Sequence, residues 1–244
     1  MILLVDSGNS RIKWRLVNDV DVIAEGAGPP DSQELFSGIG SRGGVISRVA
    51  VSSVGSEHSC RKLEQTLLAR ARAPVTFYWA ERARAGLVNS YADVGRMGAD
   101  RWHGMLGGWM RARQGFVMVD AGSAVTVDYV DSSGRHIGGY IVPGLQMMRR
   151  SLKLDAARIG FDDDDQLNVT PGNSTSACTN HGLAWMTQAM IRRIKEDAHT
   201  LGLPVVLVTG GDADRWKALG LDAEHCPGLV LDGLAAVAEA GVNA

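Results

Sequence analysis

The chain has 244 residues, 45% of them hydrophobic and 21% charged, and carries a formal net charge of −2. That length suits one large domain or two small ones, the composition is that of a packed globular chain, and the near-neutral charge supplies no global field to gather nucleic acid. The three cysteines, Cys60, Cys178 and Cys226, lack C-x-x-C spacing; this argues against a zinc motif or disulfide framework and fits reduced thiols in a cytoplasmic protein.

Ile2 to Val5 is a continuous apolar run, the pattern of a strand buried on both faces. It ends at Asp6, too short for a signal peptide, and no apolar run approaches the roughly 20 residues that span a bilayer. Asp6-Ser7-Gly8-Asn9-Ser10 predicts a turn, and Arg11 to Val17 alternates like a half-buried strand. The stretches 26–31 and 37–44 read as loops. A strand at 48–53, a helix near 57–72, a strand at 75–79 and an amphipathic helix at about 99–113 follow. In that last helix Trp102, Met105, Leu106, Trp109 and Met110 form one apolar stripe.

The opening pattern then returns. Phe116 to Val119 is apolar, Asp120-Ala121-Gly122-Ser123-Ala124 is a turn, and the segment 125–130 alternates. The two aspartates lie 114 positions apart, so the chain reads as two related halves, 1–115 and 116–244, each opening on strand, Asp-x-Gly, strand. The alternative is coincidence between two hairpins. The second half continues with a strand at 139–142, a long helix from Ser174 to about Leu201, a strand at 205–209 meeting Gly210-Gly211, and a final helix with Asp232 as its N-cap. Alternating strands and helices in both halves predict an α/β fold.

An aspartate leaving a buried strand just before glycine suits phosphate and metal chemistry. The carboxylate holds a hard cation through its waters, glycine lets backbone N–H groups approach phosphate oxygens, and Lys13 can reach a terminal phosphate. One Asp-x-Gly is weak, because such tripeptides are common in hairpins; two at matching places are stronger and suggest loops gripping a triphosphate from both sides of a cleft. Gly210-Gly211 offers side-chain-free backbone for a nucleoside, or else a plain strand-to-helix turn. Asp100, in Gly98-Ala99-Asp100-Arg101 at a helix start, is the candidate reactive carboxylate, and Arg101 could hold an acidic substrate group; the plain alternative is a helix-start Asp beside a surface Arg. Asp162 to Asp165 reads as a solvated acidic loop rather than a cation site. Gly38 to Gly43 spells G-x-G-x-x-G but precedes a strand, and no P-loop signature occurs.

Taken together and in order, Asp6 to Ser10, Gly98 to Arg101, Asp120 to Thr126 and Thr175…Gly182 resemble the type III pantothenate kinases across nearly the whole chain. The resemblance implies a duplicated ribonuclease H-like, actin-like ATPase fold, of the acetate kinase–sugar kinase–heat-shock ATPase–actin architecture, with two halves flanking a nucleotide cleft. It implies ATP-dependent phosphorylation of pantothenate at its 4′-hydroxyl, which starts coenzyme A synthesis. Asp6, Ser7, Gly8, Asn9, Ser10, Arg11, Ile12 and Lys13 would form the first ATP loop, with Asp6 near Mg²⁺, and Ser123 would touch ATP. Tyr91, Gly98, Ala99, Asp100, Arg101 and Thr175 would line the pantothenate site, with Asp100 accepting the hydroxyl proton. Asp120 would hold a monovalent cation, potassium or ammonium. A cytoplasmic homodimer is implied, with neither nucleic acid nor membrane as partner. Ser10 and Ser123 stand where the family usually has Thr, keeping the hydroxyl, and Ser174 replaces the usual Asn before Thr175. The competing functions are a related sugar or acid kinase and a non-catalytic transcription accessory factor.

Overall fold

The apolar run after Met1 becomes a strand because it is packed on both faces. In the computed structural model, which describes residues 1–19, 21–155 and 159–240, β1 spans Ile2–Ser7 with Leu3, Leu4 and Val5 buried. β2 (Ile12–Asn18) and β3 (Asp21–Gly28) continue the meander. β4 (Arg48–Ser53), α1 (Glu57–Ala71) and β5 (Val75–Tyr78) follow. These strands form one sheet in the order β3-β2-β1-β4-β5, antiparallel through the first three and parallel from β1 to β5. A short hairpin of β6 (Ala83–Arg84) and β7 (Leu87–Val88) leads into α2 (Ala99–Ala112).

The pattern repeats with β8 (Phe116–Ala121), β9 (Ala124–Val130) and β10 (His136–Pro143). Then come α3 (Leu145–Asp155), α4 (Thr175–Thr200), β11 (Val205–Thr209), α5 (Ala213–Ala218), β12 (Glu224–His225) and α6 (Leu229–Ala240). The second sheet is ordered β10-β9-β8-β11-β12, with the same antiparallel and parallel pairings as the first. Two sheets of identical order and direction make this the duplicated ribonuclease H-like, actin-like fold that the paired hairpins and the family resemblance imply. No helix among the described residues is long and apolar enough to cross a membrane.

Two compact units are present, Met1–Arg111 with the chain from Gly228 onward, and Ala112–Pro227. The core of the first sets Leu3, Val5, Trp14 and Leu16 of the sheet against Leu63 and Leu67 of α1. Leu4 and Ala50, on the opposite face, pack against Leu231, Leu234 and Ala238 of α6. Sequence position groups that helix with residues 116–244, while its apolar stripe packs on β1 and β4. In the second unit Val117, Val119, Val127 and Val208 pack against Ala184, Ile191 and Ile194 of α4.

Several sequence expectations shift. Asp232 does not cap the last helix: α6 starts at Leu229, and Asp232 in its first turn donates its N–H to Gly228 (2.9 Å) and pairs with Arg15 at 2.6 Å. The 37–44 loop is instead a run of 3-10 turns that buries Ile39. Gly26 to Gly28 ends β3 because that strand pairs with β2 along its length. In α2, Trp102, Met105 and Leu106 are fully buried as the stripe predicts, but Met110 is 39% exposed.

Candidate active site

The first Asp-x-Gly loop is shaped by its strand pairing. Gly8 N–H bonds to the Arg11 carbonyl (3.1 Å), closing the turn between β1 and β2. Across that hairpin Asp6 lies opposite Lys13, and in the parallel neighbour it lies level with Ser52. Residues paired in register share a face, so Asp6, Lys13 and Ser52 all project from the α6-covered face of the sheet. Asp6 and Lys13 are half-buried, and Asn9, Ser10 and Arg11 are exposed. Ile12 is a correction: its side chain is 3% exposed and lies in the core, leaving only its backbone for a ligand.

The Gly98 to Arg101 segment opens α2. Gly98 accepts from the Trp102 N–H (3.1 Å), while Asp100 is half-buried and accepts the Arg101 N–H (2.7 Å). A side chain on Gly98 would sit 2.6 Å from the Asp100 carboxylate, so the close approach needs glycine. Arg101 is not a surface residue. It is 5% exposed, donates to the Tyr91 hydroxyl at 2.7 Å and stacks 5.6 Å from that ring's centroid. Tyr91 is fixed from behind, since its N–H bonds to the Asn89 side chain (3.0 Å) and its carbonyl accepts from Arg82 (2.6 Å). Arg82 also reaches the Ala92 carbonyl at 2.9 Å. The unit therefore presents a carboxylate at a helix N-terminus beside a pre-ordered arginine–tyrosine pair.

One turn beyond Asp100, His103 is completely buried, with Nδ1 at 2.8 Å from the Ser52 hydroxyl. Burial, helped by the charge of Arg84, pushes the imidazole down to about 4 from 6.5. The folded chain keeps this ring neutral while the unfolded chain protonates it first. His103 therefore contributes stability that is complete above pH 6.5 and is lost as pH falls through about 4. The loss amounts to about 3 kcal/mol at most. Urea unfolding between pH 4 and 7 should show it, and His103→Asn should flatten that slope; an unchanged slope in the variant assigns the acid sensitivity elsewhere.

The second Asp-x-Gly loop is built alike. Gly122 N–H bonds to the Ala124 carbonyl (3.2 Å), and Gly144 N–H to the Ser123 carbonyl (3.0 Å), leaving the Ser123 side chain exposed. Asp120 lies opposite Thr126 on β9 and level with Thr209 on β11. Both threonine hydroxyls are buried with no hydrogen-bond partner among the described residues. Gly210 has φ +94°, and a side chain there would strike the Ala121 backbone and lie 2.6 Å from Asp120 Oδ1. Gly210-Gly211 leads into α5, the strand-to-helix turn, and Asp212 N–H bonds to the Ala121 carbonyl (2.9 Å). Thr175, exposed, is the first residue of α4, whose N-cap Ser174 accepts from the Ala177 N–H (3.1 Å). The acidic run is bound by cations of its own unit: Arg149 reaches Asp165 at 3.0 Å and Lys153 reaches Asp163 at 2.9 Å. Among the described residues no three His, Cys, Asp or Glu side chains gather into a metal cage.

A family profile described as type III pantothenate kinase matches residues 2–197. The chain belongs to the type III pantothenate kinase family. A type III pantothenate kinase of Marinobacter nauticus is 56% identical over 99% of this chain and 100% of its own, and one of Cellvibrio japonicus is 37% identical over 96% and 95%. Among solved structures, a Campylobacter jejuni protein described within the Baf family of transcriptional activators superposes with a TM-score of 0.63 at 19% identity, covering 99% and 100% of the two chains. The activator of a Clostridium difficile 2-hydroxyisocaproyl-CoA dehydratase, with bound ADPNP, gives 0.54 at 14% identity over 99% and 96%. At such identities these two likenesses speak for the fold alone.

Three neighbours of the pantothenate kinase motifs, Asn89, Arg82 and Thr209, lie outside the runs that the sequence singles out. Asn89 and Arg82 carry a faint signal, because Asn two residues before Tyr91 can bond its backbone in an Asx-turn. Thr209 carries none, since only strand register sets it beside Asp120, and Thr126, which ends the 120–126 motif, is likewise set opposite Asp120 by register.

Proposed function

We propose that the chain transfers the γ-phosphoryl group of ATP to the 4′-hydroxyl of pantothenate, giving 4′-phosphopantothenate for coenzyme A synthesis. The observation that carries this is Asp100 at the start of α2, next to the buried Arg101 with its half-buried partner Tyr91 and in the same unit as the Asp6–Lys13 loop. Asp100 accepts the proton of the attacking hydroxyl. The helix terminus keeps it ionised and a weak base, which suffices because the proton leaves late in a loose phosphoryl-transfer transition state. Arg101, held against Tyr91, meets the carboxylate of pantothenate. Gly98 and Thr175 complete the substrate contacts, and Ala99, 2% exposed, can add only its backbone.

Backbone N–H groups of residues 6–13 cradle phosphate, joined by Ser7, Asn9, Ser10, Arg11 and Lys13, and Ser123 serves from the second loop. Asp6, the carboxylate at the end of β1, would hold Mg²⁺ there. Bound Mg²⁺ would supply neutralisation of the charge shared by β- and γ-phosphates. The two unpartnered threonine hydroxyls beside the Asp120 carboxylate are a hard-oxygen donor set, which fits potassium or ammonium there.

The reading includes a cytoplasmic homodimer. Unit Ala112–Pro227 exposes Tyr140, Ile141, Leu154, Trp185 and Met186 by 45–72% on β10, α3 and α4. Apolar exposure on that scale supports an association surface on this unit. Light scattering is expected to give a dimer, and Ile141→Lys with Trp185→Arg a folded monomer; a monomeric parent protein removes the proposal.

A coupled ADP-release assay tests the activity. Release should require pantothenate and rise in potassium over sodium buffer. Turnover of a sugar but not pantothenate overturns the proposed substrate.

A further inference from the structure

We infer that the buried hydrogen bond between Ser52 and His103 is the positioning device that sets Asp100 over the Asp6 loop. The inference rests on the proposal that Asp100 is the proton acceptor.

Three observations meet at this bond. Ser52 is level with Asp6 in the parallel β1–β4 pairing, so its place along the sheet is tied to the first phosphate loop. His103 follows Asp100 by one turn of α2, so its place is tied to the reactive carboxylate. Both side chains are 0% exposed, and their polar atoms stand 2.8 Å apart. The bond thus joins the strand neighbouring one site element to the helix bearing the other.

Toward Tyr91 this turn of α2 is held by the Arg101 hydrogen bond (2.7 Å), but toward α6 what holds it has little directional content. On its α6 side the contact is backbone to backbone: a side chain on Gly233 would strike the His103 carbonyl, and one on Gly107 the Leu229 carbonyl. A glycine-lined contact has no interlocking side chains, so it fixes how closely the helices approach but resists axial slip or rotation weakly. A hydrogen bond has a preferred length and angle, and here it is the term that fixes the phase of α2 against β4. Because Asp100 lies in the first turn of α2, one turn before His103, a small rotation at His103 becomes a displacement of the carboxylate.

The chemistry of the pair suits this role. Among the described residues His103 Nε2 has no hydrogen-bond partner, and Nδ1 bonds to Ser52. A buried polar side chain with half its capacity unmet costs stability compared with an apolar residue of the same shape. A leucine could fill the same space without that cost, so packing alone does not explain a histidine here.

The test compares Ser52→Ala, His103→Leu and His103→Asn with the parent enzyme, each assayed well below its own unfolding midpoint. Ser52→Ala and His103→Leu should each lower kcat roughly 10- to 100-fold, the usual effect of a misplaced reacting group, with little change in the KM for ATP. His103→Asn, which can place a polar atom near that of Nδ1, should recover most of the turnover. In an Asp100→Asn background, Ser52→Ala should add no further loss, because no carboxylate remains to position. Lowered melting temperatures with unchanged kcat in Ser52→Ala and His103→Leu would reduce the bond to structure and overturn the inference. An additive loss in the Asp100→Asn background would do the same. If Asp100→Asn alone keeps parental turnover, the proton-acceptor assignment falls, and the positioning role with it.

Discussion

Asp100→Asn is expected to lower kcat by roughly 10²–10⁴-fold, the range for a positioned acid–base group, with the KM for ATP nearly unchanged. The substitution is conservative for the fold. Asparagine keeps an oxygen able to accept the Arg101 N–H at the start of α2, and the lost charge–dipole attraction is worth only about 0.3–1 kcal/mol. A large fall in kcat without a matching stability loss therefore reports the missing proton acceptor. Pre-steady-state quenching, which separates phosphoryl transfer from ADP release, should place the loss in the transfer step. Near-parental turnover removes Asp100 from the reaction.

The fold was largely legible because its signals are local. A buried strand ending in Asp-x-Gly announces itself through a continuous apolar run followed by a polar turn, and this pattern at residues 2–8 and 116–122 exposed the duplication. The helix of Asp100 was equally plain, since Trp102, Met105 and Leu106 recur at helical spacing. What failed were boundaries without a cap. α6 begins on Leu229-Val230-Leu231, with no residue there that could cap by side chain, so the first suitable residue, Asp232, was taken for its start. α3 escaped notice for the same reason, beginning at Leu145 directly after Pro143-Gly144. β3 escaped because Glu25-Gly26-Ala27-Gly28 has turn composition, and only pairing with β2 makes it a strand.

The site was legible to the extent that it is carried by contiguous residues. Asp6 to Lys13 and Gly98 to Arg101 are such runs. Their support is not. Ser52 and His103 are 51 positions apart, and Thr126 and Thr209 meet Asp120 only through the register of three strands. Strand register is a product of the folded sheet, so no spacing rule on the chain reveals it. Arg101 shows the same limit: a helix-start arginine reads as a surface residue until Tyr91, ten positions earlier, folds back to cover it.

Gly210→Ala should be strongly damaging in the second unit, and the reason lies in geometry. At φ +94° an L-residue is strained, and the new Cβ would meet both the Ala121 backbone and, at 2.6 Å, the Asp120 carboxylate. An unfavourable backbone costs roughly 1–2 kcal/mol and overpacking roughly 1–3 more. In a chain of this size that total lowers the melting temperature by roughly 5–15 °C. Because the clash pushes on Asp120, activation by potassium should weaken in parallel, and the two readouts come from separate measurements. Gly211→Ala is the matched control. Its Cβ would point into open space and its φ is ordinary, so its stability should stay within about 0.5 kcal/mol of the parent's. Equal stability losses in the two variants would show that the loop as a whole, not the contact between Gly210 and Asp120, is the constrained element. A stable Gly210→Ala enzyme with parental potassium response would detach Asp120 from the cation altogether.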